Sequence, residues 1–118
     1  MIRVKRVYEP KEPGDGSRIL VERLWPRGVR KDSLELDAWL KDVAPSTELR
    51  RWFGHDPARW EEFRKHYADE LNARPDAWRD IQEAATRSTV TLLFSAHDTL
   101  HNNAVALKSY LEAQKERA

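Results

Sequence analysis

Two uninterrupted apolar runs constrain the fold of this chain more than any other feature. Ile19-Leu20-Val21 lies within "RILVERL" and Leu92-Leu93-Phe94 within "VTLLFSA". A strand wetted on one side alternates apolar and polar residues, whereas a continuous apolar run needs cover on both faces, as in a parallel sheet held between layers. A third segment, "IRVKRV" near the start, alternates Ile2 and Val4 with Arg3 and Lys5, the period of a half-covered strand. The sequence therefore predicts strands near 2–7, 18–24 and 90–96, the last two more central than the first. Between the first two, "YEPKEPGDGS" gathers prolines, glycines and acids, and reads as a surface loop.

Helices account for most of the remainder. In "DPARWEEFRKHYADEL", Asp56 suits a cap and Pro57 a first turn, and Trp60, Phe63, Tyr67 and Leu71 fall on one helical face. A second helix starts near Pro75 and turns Trp78, Ile81 and Ala85 inward; the last begins near His101 and buries Ala104, Leu107 and Leu111. A shorter helix follows Ser46 and stops at Gly54, while "LDAWLKDV", residues 36–43, fits neither period. The expected fold is a small three-layer α/β domain, residues 1–118, with a mostly parallel sheet of about three strands flanked by four or five helices.

Composition narrows the functional classes. Twenty-one basic residues face 20 acidic ones for a net charge of +1, so no charge excess marks a nucleic-acid binder. Neither an apolar run of membrane-spanning length nor a secretory leader is visible, and the expectation is a cytoplasmic protein with no membrane contact. There is no cysteine, which removes disulfides, thiolate catalysis and Cys-ligated zinc. No motif calls for a cofactor, no residue is assigned a catalytic role, and nothing in the sequence fixes the oligomeric state.

Parallel sheets bind ligands beyond the carboxyl ends of their strands, which selects two loops here: "RLWPRG" and "SAHDTLHNN". The first runs from a buried strand into Trp25, Pro26, Arg27 and Gly28. Arg23, at a strand end, must find a carboxylate, carbonyls or a ligand, because an unpaired buried guanidinium is costly. Glu22 and Asp98 are candidate partners. Arg27, held beside Gly28, suits an anion, and Trp25 reads first as core and second as a stacking platform. The second loop offers Ser95, His97, Asp98, His101, Asn102 and Asn103 ahead of a helix N-terminus, where unpaired N–H groups favour an anion. Its plainer reading is that Asp98 or Thr99 caps the helix and the asparagines face water.

His97 and His101 have the i, i+4 spacing of zinc ligands, but only if both lie on a helix; with the helix start this uncertain, no metal is expected. A Ser95-His97-Asp98 triad is disfavoured, since three groups so close along an extended chain seldom aim at one point. Five tryptophans, four of them within two residues of an arginine, suggest stacking on nucleic acid, yet Trp60 and Trp78 fall on inward helical faces and read as core.

"RLWPRGV", "WLKDVAPSTELRRWFGHDP" and "HNNAVALKSYL" together resemble the YeaO-like bacterial proteins, domain-of-unknown-function family 488, along nearly the whole chain. The resemblance carries no activity with it. A longer branch of that family has Asp-Val-Arg where this chain has Glu22-Arg23, and Cys-His-Arg near the start of its last helix. Here His101-Asn102-Asn103 stands in that place, so the thiol is not carried over. In the shorter branch, lysine is frequent at the position of His97.

Two functions compete on these observations. One is a small-molecule site for a phosphate or carboxylate, built from Arg23 and Arg27 facing the 97–103 loop, with acid–base work by His97, His101 or Asp98 if there is a reaction. The other is an interaction module that binds nucleic acid or a protein through the "WPRGVRK" corner. The first is favoured, because the charge is balanced and most tryptophans are committed to the core.

Overall fold

A computed structural model of the chain describes residues 1–117, the side chain of Arg117 excepted. Four strands, β1 (Ile2–Arg6), β2 (Ser17–Leu20), β3 (Ala38–Trp39) and β4 (Val90–Phe94), form one sheet in the order β1-β4-β2-β3. Every pairing is parallel. Residues 36–43 supply the short edge strand, too brief for a period of two to be read from sequence. β4 is central in register with both neighbours, Val4 and Ile19 each opposite Leu92. That placement explains its continuous apolar run, all five residues of which are buried.

The four helices are α1 (Thr47–Phe53), α2 (Trp60–Asn72), α3 (Pro75–Arg87) and α4 (Asn103–Arg117). Local chemistry sets their ends. The Ser46 side chain accepts from the Leu49 N–H at the start of α1, and Gly54 closes it in the left-handed conformation with φ 55°. Asp56 accepts from the Ala58 N–H ahead of a single 3-10 turn that leads into α2. On the predicted inward faces, Phe63, Tyr67, Leu71, Ile81, Ala104, Leu107 and Leu111 are buried.

Among the described residues, the four α-helices all pack on one face of the sheet. Ile2, Val4, Ile19, Val21, Leu92 and Phe94 pack there against residues from all four helices, including Leu49, Phe63, Ile81 and Leu107. Cover for the opposite face comes from a loop, with Val7, Leu20 and Leu93 packed under Trp25, Val29, Leu34, Leu36 and Trp39. The α/β class is as the sequence predicts, and the apolar runs are covered on both sides, but the third layer is irregular. Trp25 and Trp39 meet edge to face at 5.2 Å between ring centroids, and the Trp25 Nε1 donates to the Val29 carbonyl at 2.6 Å. The rigid corner after β2 thus folds a large aromatic side chain back over the sheet, a compact way to seal a face that none of the four α-helices covers.

Under the same face lies a buried ionic cluster. Asp15, 1% exposed, accepts from the Arg18 Nη1 at 2.5 Å and the Lys5 Nζ at 3.1 Å. Burial pushes the Asp15 carboxyl up, but the Glu12 N–H, Lys5 and Arg18 outweigh it and hold it at about 2. The Asp15 carbonyl also accepts from the Thr91 hydroxyl of β4, fastening the 8–16 loop to the sheet.

Candidate functional site

The carboxyl ends of β2 and β4 open side by side, and the segments leaving the two strands are tied to each other. The Glu22 carboxylate accepts from the Ser95 N–H at 2.5 Å and lies 2.9 Å from the Ser95 hydroxyl through either oxygen. The Asn103 Nδ2, in the first turn of α4, donates to the Val21 carbonyl at 2.6 Å. From below, the Trp39 Nε1 donates to the Glu22 carbonyl at 2.6 Å. Glu22 is therefore fixed through both its backbone and its side chain.

Arg23, next in the chain, turns away from both candidate acids. Its Nε donates to the Pro45 carbonyl at 3.0 Å and its Nη2 to the Ala44 carbonyl at 3.3 Å. Two carbonyls satisfy part of the guanidinium, and no carboxylate lies within ion-pair distance of it among the described residues, although Asp42 and Glu70 line a smaller pocket on its other side.

These residues frame a cleft of about 560 Å³ bounded by the ends of β2 and β4, helix α1 and the start of α4. Arg23, Arg50, Arg51 and His55 give it a basic lining, Phe53 and Phe63 an apolar wall, and Glu22 is its one carboxylate among the described residues. Arg50 and Arg51 are exposed and enter no ion pair or side-chain hydrogen bond among the described residues. They sit in the last turn of α1, and Gly54 and His55, both at positive φ, reverse the chain beside them. The volume falls in the range of small-molecule sites.

Of the residues singled out from sequence, Arg23, Ser95, Asn102 and Asn103 line this cleft. Trp25, Arg27, His97, Asp98 and His101 do not. Arg27 is exposed on the corner, where its carbonyl accepts from the Tyr8 hydroxyl at 3.0 Å. His97 is exposed as well. Asp98 and His101 pair with each other: the Asp98 Oδ1 accepts from the N–H groups of Leu100 and His101, and the Oδ2 lies 2.9 Å from the His101 Nδ1. The Leu100 N–H, the His101 ring and the His101 N–H together hold the Asp98 carboxyl below its ordinary range. The His101 ring also meets Trp60 edge to face at 5.2 Å.

Neither Asp98 nor Thr99 caps the last helix. That role falls to Asn102, 3% exposed, whose Oδ1 accepts from the Val105 N–H at 3.0 Å while its Nδ2 donates to the Asp98 carbonyl. The helix begins at Asn103, so His97 and His101 both precede it and do not share a helical face. Among the described residues no cluster of three or more His, Asp or Glu is placed to hold a metal ion.

Sequence reasoning missed Thr47, Arg50, Arg51 and Phe53, all on α1, along with the placement of His55. The signal was present in "ELRRWFGH", a pair of arginines just before a helix-stopping glycine. What it lacked was the direction of α1, which tertiary packing decides.

Comparison with known proteins agrees along the full chain. The family model described as "Inactive DUF488-N3 subclade" matches residues 1–118. The chain is 43% identical over 112 residues to "Uncharacterized protein YeaO" of Escherichia coli strain K12, covering 95% of this chain and 97% of that protein. It is 41% identical over 113 residues to "Uncharacterized protein Rv3073c" of Mycobacterium tuberculosis strain H37Rv, covering 96% and 95% respectively. The Mycobacterium bovis protein "Uncharacterized protein Mb3100c" aligns with the same identity and coverage. No solved structure matches the chain. The whole-chain match and these identities place the chain in the DUF488 family, within the subclade described as inactive DUF488-N3.

Proposed function

We propose that the cleft at the ends of β2 and β4 binds a small organic anion, bearing a phosphate or a carboxylate, and that the protein acts through this binding. One observation carries the reading: three arginines and a histidine line a single cleft against one carboxylate among the described residues, Glu22, which accepts two hydrogen bonds from Ser95. Arginine presents several N–H donors in a planar fork suited to carboxylate and phosphate oxygens. With Arg50 and Arg51 uncommitted, little must be broken to admit a ligand. Phe53 and Phe63 add an apolar wall for the carbon skeleton.

Binding without covalent conversion also agrees with the subclade's description as inactive. The chain has no cysteine, the Ser95 hydroxyl is held by Glu22, and His101 is held by Asp98 outside the cleft.

A thermal-shift series tests the proposal. A ligand that binds only the folded state raises stability by RT ln(1 + [L]/Kd), about 2.7 kcal/mol at a hundredfold excess over Kd. Inorganic phosphate, citrate and short aryl carboxylates at millimolar concentration should raise the midpoint of the native protein and do so less in Arg50→Ala/Arg51→Ala. Equal midpoints with and without every anion would reject the reading. If single-stranded oligonucleotides alone raise the midpoint, with a steep loss on adding salt, the basic corner at residues 24–31 is the binding surface instead.

A further inference from the structure

We infer that the ligand of this cleft is zwitterionic, its cationic group resting on the Glu22 carboxylate while its anionic group meets Arg50 and Arg51; this deepens the anion-binding proposal and rests on it. Glu22 is half-buried and lines the cleft, yet no cation lies within ion-pair distance of it among the described residues. Carboxylates withdrawn from water are usually paired, because desolvation of the charge is otherwise uncompensated. Here the obvious intramolecular partner is adjacent in sequence and lines the same cleft, but Arg23 is turned to the Ala44 and Pro45 carbonyls.

The bonds that Glu22 does make leave room for another donor. A carboxylate offers about four lone-pair sites. Ser95 supplies one N–H and one hydroxyl proton, the latter shared between the two carboxylate oxygens at 2.9 Å each. Two protons thus occupy the group, and acceptor capacity remains. The group is also preorganised, since the Trp39 indole holds its backbone carbonyl and Ser95 holds its side chain. A fixed acceptor rewards a matching donor and penalises a ligand that lacks one far more than an added apolar contact does. Opposite charges lining one cleft, Glu22 just beyond β2 and Arg50 and Arg51 on α1, therefore favour an ammonium and an anion joined by a short carbon chain over a simple anion.

Isothermal titration at about 0.15 M salt, an ionic strength at which weak exposed charge contacts are screened, separates the two levels of the proposal. The probes are O-phosphoethanolamine against ethyl phosphate, and β-alanine against propionate. Within at least one pair the ammonium-bearing compound should bind about tenfold or more tighter, as a charge-assisted hydrogen bond requires. In Glu22→Gln the two members of that pair should bind within about twofold of each other, because the amide removes the charge that discriminates. Equal affinities for both members of each pair in the native protein would overturn the zwitterion inference and leave the anion reading standing. No binding of any of the four would overturn both. The native-protein comparison decides the matter by itself if Glu22→Gln fails to fold.

Discussion

The Glu22 carboxylate and the Ser95 N–H meet at 2.5 Å, and this contact joins the chain just beyond β2 to the chain just beyond β4. It fixes the mouth of the cleft from both sides, and the Ser95 hydroxyl adds a second donor at 2.9 Å. Ser95→Ala keeps the backbone bond and deletes the hydroxyl one. Hydrogen bonds to charged groups contribute about 1.5–3 kcal/mol, so the variant should lose a figure in the lower half of that range. Urea unfolding followed by tryptophan fluorescence measures the loss. An unchanged midpoint would mean that water replaces the hydroxyl at no cost.

Two glycines at positive φ should respond very differently to alanine. Gly16 has φ 63°, and an added Cβ would stand 2.1 Å from the Thr89 carbonyl oxygen, a backbone atom that a side-chain rotation cannot move away. Gly28 has φ 74°, with nothing within 4 Å of the same position. Gly28→Ala should cost about 1 kcal/mol, the conformational penalty alone, and Gly16→Ala should exceed about 3 kcal/mol or fail to fold. Circular dichroism melts of the two variants give the comparison, and equal melting points would contradict the close approach of the 8–16 loop to β4.

Acid stability should depend on Asp15. Its carboxyl is held at about 2 in the folded chain against 3.8 ordinarily, so its contribution to folding is full above pH 4 and fades as pH falls toward 2. The Lys5 ammonium is shifted the other way, upward, by its hydrogen bond to Glu12, opposed by burial and reinforced by Asp15; its contribution is full below 10.5 and is lost as pH rises beyond its raised value. Asp15→Asn should therefore be less stable than the native chain at neutral pH, with the gap narrowing between pH 4 and 2. Denaturant midpoints across that window are the readout, and a gap that stays constant would show that Asp15 does not titrate with folding.

The fold was largely readable because its strands and helices carry strong periodic signals. Leu92-Leu93-Phe94 announced a central strand, and Ser46 and Gly54 marked both ends of α1 through chemistry that is local in sequence. The irregular third layer was not readable, because Trp25 and Trp39 cover the sheet from loop and edge positions that obey no period. The lining of the cleft was readable in part for the same reason. Arg23, Ser95, Asn102 and Asn103 follow from the rule that ligands gather at strand ends, whereas Arg50 and Arg51 reach the cleft through the direction in which α1 packs. Asp98 and His101 lie outside the cleft lining because they bond to each other within their loop, a local pairing that a list of polar residues does not reveal.

The central claim is that Arg50 and Arg51 bind an anion in the cleft, and an amide-resolved NMR titration with inorganic phosphate tests it most directly. Saturable shifts should cluster at residues 22–24, 44–55, 95–96 and 102–103, the backbone around the cleft. They should weaken about tenfold or more in Arg50→Ala/Arg51→Ala, as the loss of charge-assisted hydrogen bonds implies. Arg27→Ala, on the exposed corner outside the cleft, should leave the titration unchanged. Shifts confined to residues 24–31 and abolished by Arg27→Ala, or no saturable shift at all, would contradict the account.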